Sequence, residues 1–163
     1  MAGPDLIAVD VLLSETVSPE RERAVVEAFG ALGVAVRTRV VPARRGPTEL
    51  QWLILATLPL HAFLTGLGSK FAEDAYQRLK SLVTRVLHGL PQPAAPGQVL
   101  VLQDAATRLQ VVLEADLPPA AYRQLVELDL STFQQGPVHY DRHRGEWRCE
   151  LDEWTRRQEA PPA

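Results

Sequence analysis

Between Leu6 and Leu13 apolar residues fill both parities of the chain, with Ile7, Val9, Val11 and Leu13 on one side and Leu6, Ala8 and Leu12 flanking Asp10 on the other. Alternation with two apolar faces predicts a central strand buried on both sides. The period then lengthens. In SPERERAVVEAFGALG, Ser18 is placed to cap a helix and Pro19 suits its first position. Glu20 and Glu22 face the positive end of the dipole, Gly33 can terminate the helix, and Val25, Phe29 and Leu32 line one face. VAVRTRVVP returns to alternation, Val34, Val36, Thr38 and Val40 against Ala35, Arg37, Arg39 and Val41, as in a half-buried strand. The chain therefore opens β-α-β, with a right-handed crossover if the two strands are parallel neighbours.

The next pattern has no charge at all. From Leu50 to Ser69 twenty residues carry no formal charge, counting His61 as neutral. At 1.5 Å per helical residue that length matches a hydrocarbon core, so the segment qualifies as a membrane span. Gln51, Thr57, His61, Thr65 and Ser69 dilute it, and Pro59 removes a backbone donor in its middle. Leu60, Leu64, Leu67, Phe71, Ala75, Leu79, Leu82 and Val86 then recur every three or four residues, carrying one apolar stripe from the uncharged run into a charged helix. The stripe favours a long hydrophobic helical hairpin or kinked helix packed on a sheet, with His61 as an interior histidine. Trp52, Leu55, Leu60, Phe63, Leu64 and Leu67 are the residues that would meet a membrane or a partner if the segment were instead presented outward.

After Gly89 the stretch PQPAAPG supplies a proline-rich connection. QVLVLQDAATRLQVVLE reads as two strands turning between Asp104 and Thr107, with Leu109, Val111 and Leu113 facing one way. LPPAAYRQLVELDL reads as a helix entered through prolines that brings Tyr122, Leu125, Val126 and Leu128 to the core, and GPVHYDRHRGEWRCEL as a hairpin about Arg144 and Gly145. The pattern predicts an α+β fold whose helices pack on a mixed sheet: β-α-β, the helical region, then β-β-α-β-β. Residues 1–151 form its single domain, divisible at 91–97 into halves 1–90 and 98–151, and 152–163 are expected to be a flexible tail.

Composition narrows the function classes. The 163 residues are 46% hydrophobic and 23% charged, the balance of a globular chain, and the net charge of −3 supplies no concentrated positive surface for nucleic acid. One cysteine, Cys149, forms no intrachain disulfide and no multi-cysteine zinc site, which points to a reducing compartment. The N-terminal MAGPDLIAVDVLLSE lacks the basic start of a secretory signal, so a cytoplasmic location is expected, with membrane association left to residues 50–69.

Candidate chemistry is sparse. His139, Asp141 and His143 alternate and would share one face of a strand, where imidazole and carboxylate could hold zinc or iron. The same alternation is met by a solvated hairpin face, with Val138, Tyr140, Trp147, Cys149 and Leu151 turned inward. Cys149 reads as a small core residue by that parity. Glu73 and Asp74 stand at helical spacing from Lys70, Arg78 and Lys80, as in surface ion pairs. No phosphate loop, dinucleotide fingerprint or nucleophile elbow occurs, so no cofactor is expected.

The segments IAVDVLL, AVVEAFGALG, VAVRTRVVP and LPLHAFLTGLGSKFAEDAYQRLKSLV cover roughly half of the chain. In order and layout they resemble small accessory domains of bacterial conflict systems, the effector-associated constant component type of GC-rich actinobacteria. The resemblance implies a noncatalytic component that couples to a separate effector or sensor, through a protein partner or self-association. Two other readings stand beside it: a membrane-associated protein inserting residues 50–69, and a metal-dependent enzyme using the hairpin histidines.

Overall fold

The computed structural model describes residues 7–14, 18–41, 54–68, 72–88, 99–114, 116–134 and 136–160. The opening alternation forms β1 (Ala8–Ser14) and β2 (Ala35–Val41), which pair in parallel around α1 (Pro19–Gly30). Ser18 caps α1 by accepting from the Arg21 amide, and Pro19 takes the first position, as the residue types predict. Gly33 follows at φ +80°, a conformation that needs no Cβ and lets the chain reverse into β2.

The uncharged run differs from expectation. Ile54–Leu58 is a strand, β3, lying antiparallel to β1 and parallel to β4 (Val99–Asp104). Pro59 separates it from α2 (Leu60–Gly68), and α3 (Ala72–His88) follows. Proline is not a kink in one helix here; it marks a strand-to-helix boundary, where its missing amide leaves no gap in either ladder. Among the described residues no helix is long and apolar enough to cross a membrane. β5 (Gln110–Glu114) pairs antiparallel with β4 and completes a five-stranded mixed sheet, β2-β1-β3-β4-β5. The pairing of β3 with β4 joins the two halves of the chain in one sheet, while the proline-rich connection lies outside the described residues.

In β1, β3, β4 and β5 one face is buried, at Val9, Val11 and Leu13, Ala56 and Leu58, Leu100 and Leu102, Val111 and Leu113. Over it lie α1, α2, α3 and α4 (Pro119–Glu127), with α3 touching the other three. Phe29, Leu60, Phe63, Leu64, Leu79, Leu82, Val83, Tyr122 and Leu125 fill the space between. β1 is central as expected but not buried on both sides, since Asp10 and Leu12 are half-buried and Ala8 is exposed. β2 is an edge strand, and its Val40 is 58% exposed. His61 is exposed on α2 instead of interior.

Arg21, on the first turn of α1, reaches the far end of α3 and donates from one terminal nitrogen to the carbonyls of Val86 (3.4 Å) and Leu87 (3.2 Å). A cation on the last carbonyls of a helix complements its dipole, and partial burial pulls the guanidinium pKa below its usual value. Arg21→Ala is expected to cost about 1 kcal/mol, and Arg21→Lys to recover part of it, measured as shifts of the urea midpoint. An unchanged midpoint in Arg21→Ala would show that the contact is incidental.

Beyond α4 and a 3-10 turn at Leu130–Thr132, the chain forms a two-stranded sheet of β6 (His139–Asp141) and β7 (Glu146–Arg148). Val138 leads it onto the edge of the main sheet, donating to the Gln110 carbonyl (2.7 Å) and accepting from the Val112 amide (2.9 Å). Gly136 makes that approach possible: its φ is +63°, and a Cβ there would stand 3.2 Å from the Gln110 nitrogen. The expected tail is instead a helix, α5 (Glu150–Glu159).

Candidate functional site

The hairpin proposed for metal binding has the predicted turn and the predicted inner face, with Val138, Tyr140, Trp147 and Cys149 buried. Leu151 is the exception, 49% exposed at the start of α5. The Trp147 ring packs edge-on to Tyr140, and its indole N–H donates to the Ala121 carbonyl (2.8 Å), which fastens the hairpin to α4.

The three candidate ligands are employed separately. Asp141 accepts from the guanidinium of Arg148 (2.5 Å) and from the His143 and Arg144 amides (2.9 and 3.1 Å). Those bonds, Arg148 first, hold its carboxyl down at about 2. His143 lies in the turn and not on the strand, and His139 stands 3.8 Å from Glu150 of α5. Among the described residues no three of His, Cys, Asp and Glu gather where they could hold a metal ion. The alternation had placed His139, Asp141 and His143 on one face; the turn and the arginine clamp separate them.

Arg148 also pairs with Glu153, through its Nε (2.7 Å) and a second, short contact from a terminal nitrogen. Buried Asp152 accepts from the Gln134 amide (2.9 Å). α5 is thus held to the hairpin by charge more than by apolar contact. Because the Asp141 and Glu153 pKa values are both lowered in the folded chain, the tether is complete above the unfolded carboxylate range near 4 and weakens as pH falls toward 2. Arg148→Gln is expected to expose Arg156 and Arg157 to trypsin sooner than in the unmodified protein, followed by mass spectrometry, with residues 99–147 still protected. Equal cleavage rates would contradict the clamp.

Of the residues picked from the uncharged run, Leu60, Phe63 and Leu64 are buried in the core and Leu55 is half-buried in β3. Leu67 belongs to α2, but its side chain lies outside the described residues, as does all of Trp52. The four of these residues whose burial is described therefore pack inward or into the sheet and form no joint outward surface. The side chains of Glu73 and Asp74 also lie outside the described residues.

A surface that periodicity did not single out lies between α1 and α3. It is a groove of about 250 Å³ with Ala28 and Leu82 as its buried floor. Ala31 and Leu32 form the wall from the end of α1, and Gln77, Arg78, Ser81 and Arg85 the wall from α3. Arg78, Ser81 and Arg85 fall on one helical stripe, three and four residues apart. Among the described residues, Arg78 and Arg85 form no ion pair or side-chain hydrogen bond, and no carboxylate lines the groove. The stripe was visible in the sequence of α3, yet nothing in it showed that α1 would offer small side chains opposite.

Comparison with known protein families, with curated proteins and with solved structures finds no match to this chain.

Proposed function

We propose that this chain is a noncatalytic interaction module, an accessory component of the kind its layout resembles in bacterial conflict systems, and that it docks another protein at the α1–α3 groove. The observation that carries this reading is the groove itself: an apolar floor and an exposed cationic wall, on two helices packed onto the core from above. At about 250 Å³ it lies below the usual range of small-molecule pockets, roughly 300–1,000 Å³, and suits a few side chains of a partner. The best-partnered polar groups elsewhere, at Asp104 and Arg148, are saturated by the fold's own donors and acceptors.

A photo-crosslinking amino acid placed at Ser81 in the native host tests the reading. One discrete adduct with another polypeptide is expected, lost when Arg78→Glu and Arg85→Glu are added and absent when the crosslinker replaces exposed Glu159. Adducts that ignore the charge reversal, or an enzymatic activity of the purified protein abolished by one point substitution, would overturn it.

A further inference from the structure

We infer that the occupant of the groove is an acidic amphipathic helix of a partner protein, a conclusion that rests on the interaction reading and names its chemistry. Two helices with a depression between them offer ridges to a third, and a helical row of side chains is the shape that fills such a depression. An extended peptide would gain nothing comparable, because the groove borders no strand whose backbone could bond it. The α1 side is low at Ala31, whose small exposed side chain stands beside the buried Ala28 of the floor, so a visiting backbone can come close there.

Charge sets the polarity of the visitor. Arg78 and Arg85 are seven residues apart, about 10.5 Å along α3 at the helical rise. Both are exposed, and among the described residues that line the groove with them none is a carboxylate. Glu27, the acidic residue one turn before Ala31, is not among the lining residues. A partner helix lying along the groove therefore meets the two guanidinium groups with carboxylates about two turns apart. Its apolar side chains between them seat over Ala28 and Leu82, and Gln77 and Ser81 offer hydrogen bonds at the rim.

The test uses the full chain as bait for a phage-displayed helical scaffold with one randomised face, and each recovered helix is synthesised and titrated by fluorescence anisotropy. The expected winners carry Asp or Glu two turns apart with Leu, Ile or Phe between them, and weaken in 0.5 M salt. They should lose at least about thirtyfold in affinity toward the Arg78→Glu, Arg85→Glu protein, the loss expected when two exposed ion pairs become repulsions. Lysine in place of their acids should restore binding to that variant.

Ala31→Trp, which narrows the groove without touching its charge, should weaken them about tenfold. It supplies a second readout should the charge reversal perturb folding. Winners without acidic enrichment, winners indifferent to both variants, or no winners at all would overturn the inference. If the Ser81 adduct forms and depends on charge while no acidic helix is selected, only the partner's chemistry is wrong; if the adduct is absent, the interaction reading fails with it.

Discussion

Leu64→Arg is expected to leave this protein unable to fold. Leu64 sits on α2 at 3% exposure, on the side of the helix that closes over the sheet. A guanidinium there would enter the apolar cluster that Leu64 belongs to, a change that costs at least ~4 kcal/mol and takes up much of the stability of a domain this size. Leu64→Ala should cost roughly 2–5 kcal/mol, according to how far the core closes over the space, and Leu64→Met less than about 1.5 kcal/mol. Circular dichroism and urea denaturation distinguish the three. A Leu64→Arg protein that melts like the unmodified one would mean that α2 is turned outward. Residues 50–69 would then regain their standing as a membrane or partner segment.

The second large effect is expected at Asp104, the last residue of β4. Its Oδ1 accepts from the Leu60 amide (3.0 Å), the first N–H of α2. Its Oδ2 accepts from the amides of Ala106 and Thr107 (3.2 and 2.8 Å) and from the Thr107 hydroxyl (2.9 Å). One carboxylate thus caps a helix remote in sequence and closes the β4–β5 turn. Pro59 leaves α2 without a side-chain cap from the preceding residue, so the cap comes from the neighbouring strand.

Partial burial disfavours the charge on Asp104, but the bonds from Thr107, Leu60 and Ala106 outweigh it and hold the carboxyl below its usual range. Asp104→Ala should cost about 2 kcal/mol at neutral pH, since it removes the cap from the part-buried Leu60 amide and leaves the exposed Ala106 and Thr107 amides to water. A depressed folded-state pKa contributes stability that is present above the unfolded value near 4 and is lost as pH falls through the folded value. The gap between Asp104→Ala and the unmodified protein should therefore narrow below about pH 4 in urea melts taken across the range. A gap that stays constant to pH 2 would remove the carboxylate's charge from the explanation.

Much of this architecture was legible in residue patterns. Ser18, Pro19 and Gly33 marked α1, the alternation of Leu109, Val111 and Leu113 marked β5, and Arg144 with Gly145 marked the hairpin turn, because each depends on local chemistry. The uncharged run was misread where local chemistry is silent. ILATL is apolar at four of its five positions, so it shows neither a period of two nor one of 3.6. Only its neighbours β1 and β4 make it a strand.

α5 was misread for the opposite reason. Its hold on the fold is ionic and polar, through Asp152 and Glu153, while Leu151 and Trp154 face outward. A search for an apolar stripe could not register it. The groove needed two elements brought together: the cationic stripe was present in α3, but its pairing with the small residues of α1 is a product of the sheet order and of the packing of α3.

The most direct measurement of the central claim is amide hydrogen exchange of the full chain, alone and bound to the protein captured from Ser81. Binding at the groove predicts slower exchange confined to residues 24–32 and 76–87, the facing portions of α1 and α3. Protection that spares both helices and falls instead on the β2 edge or the hairpin would place the interaction elsewhere and contradict the account.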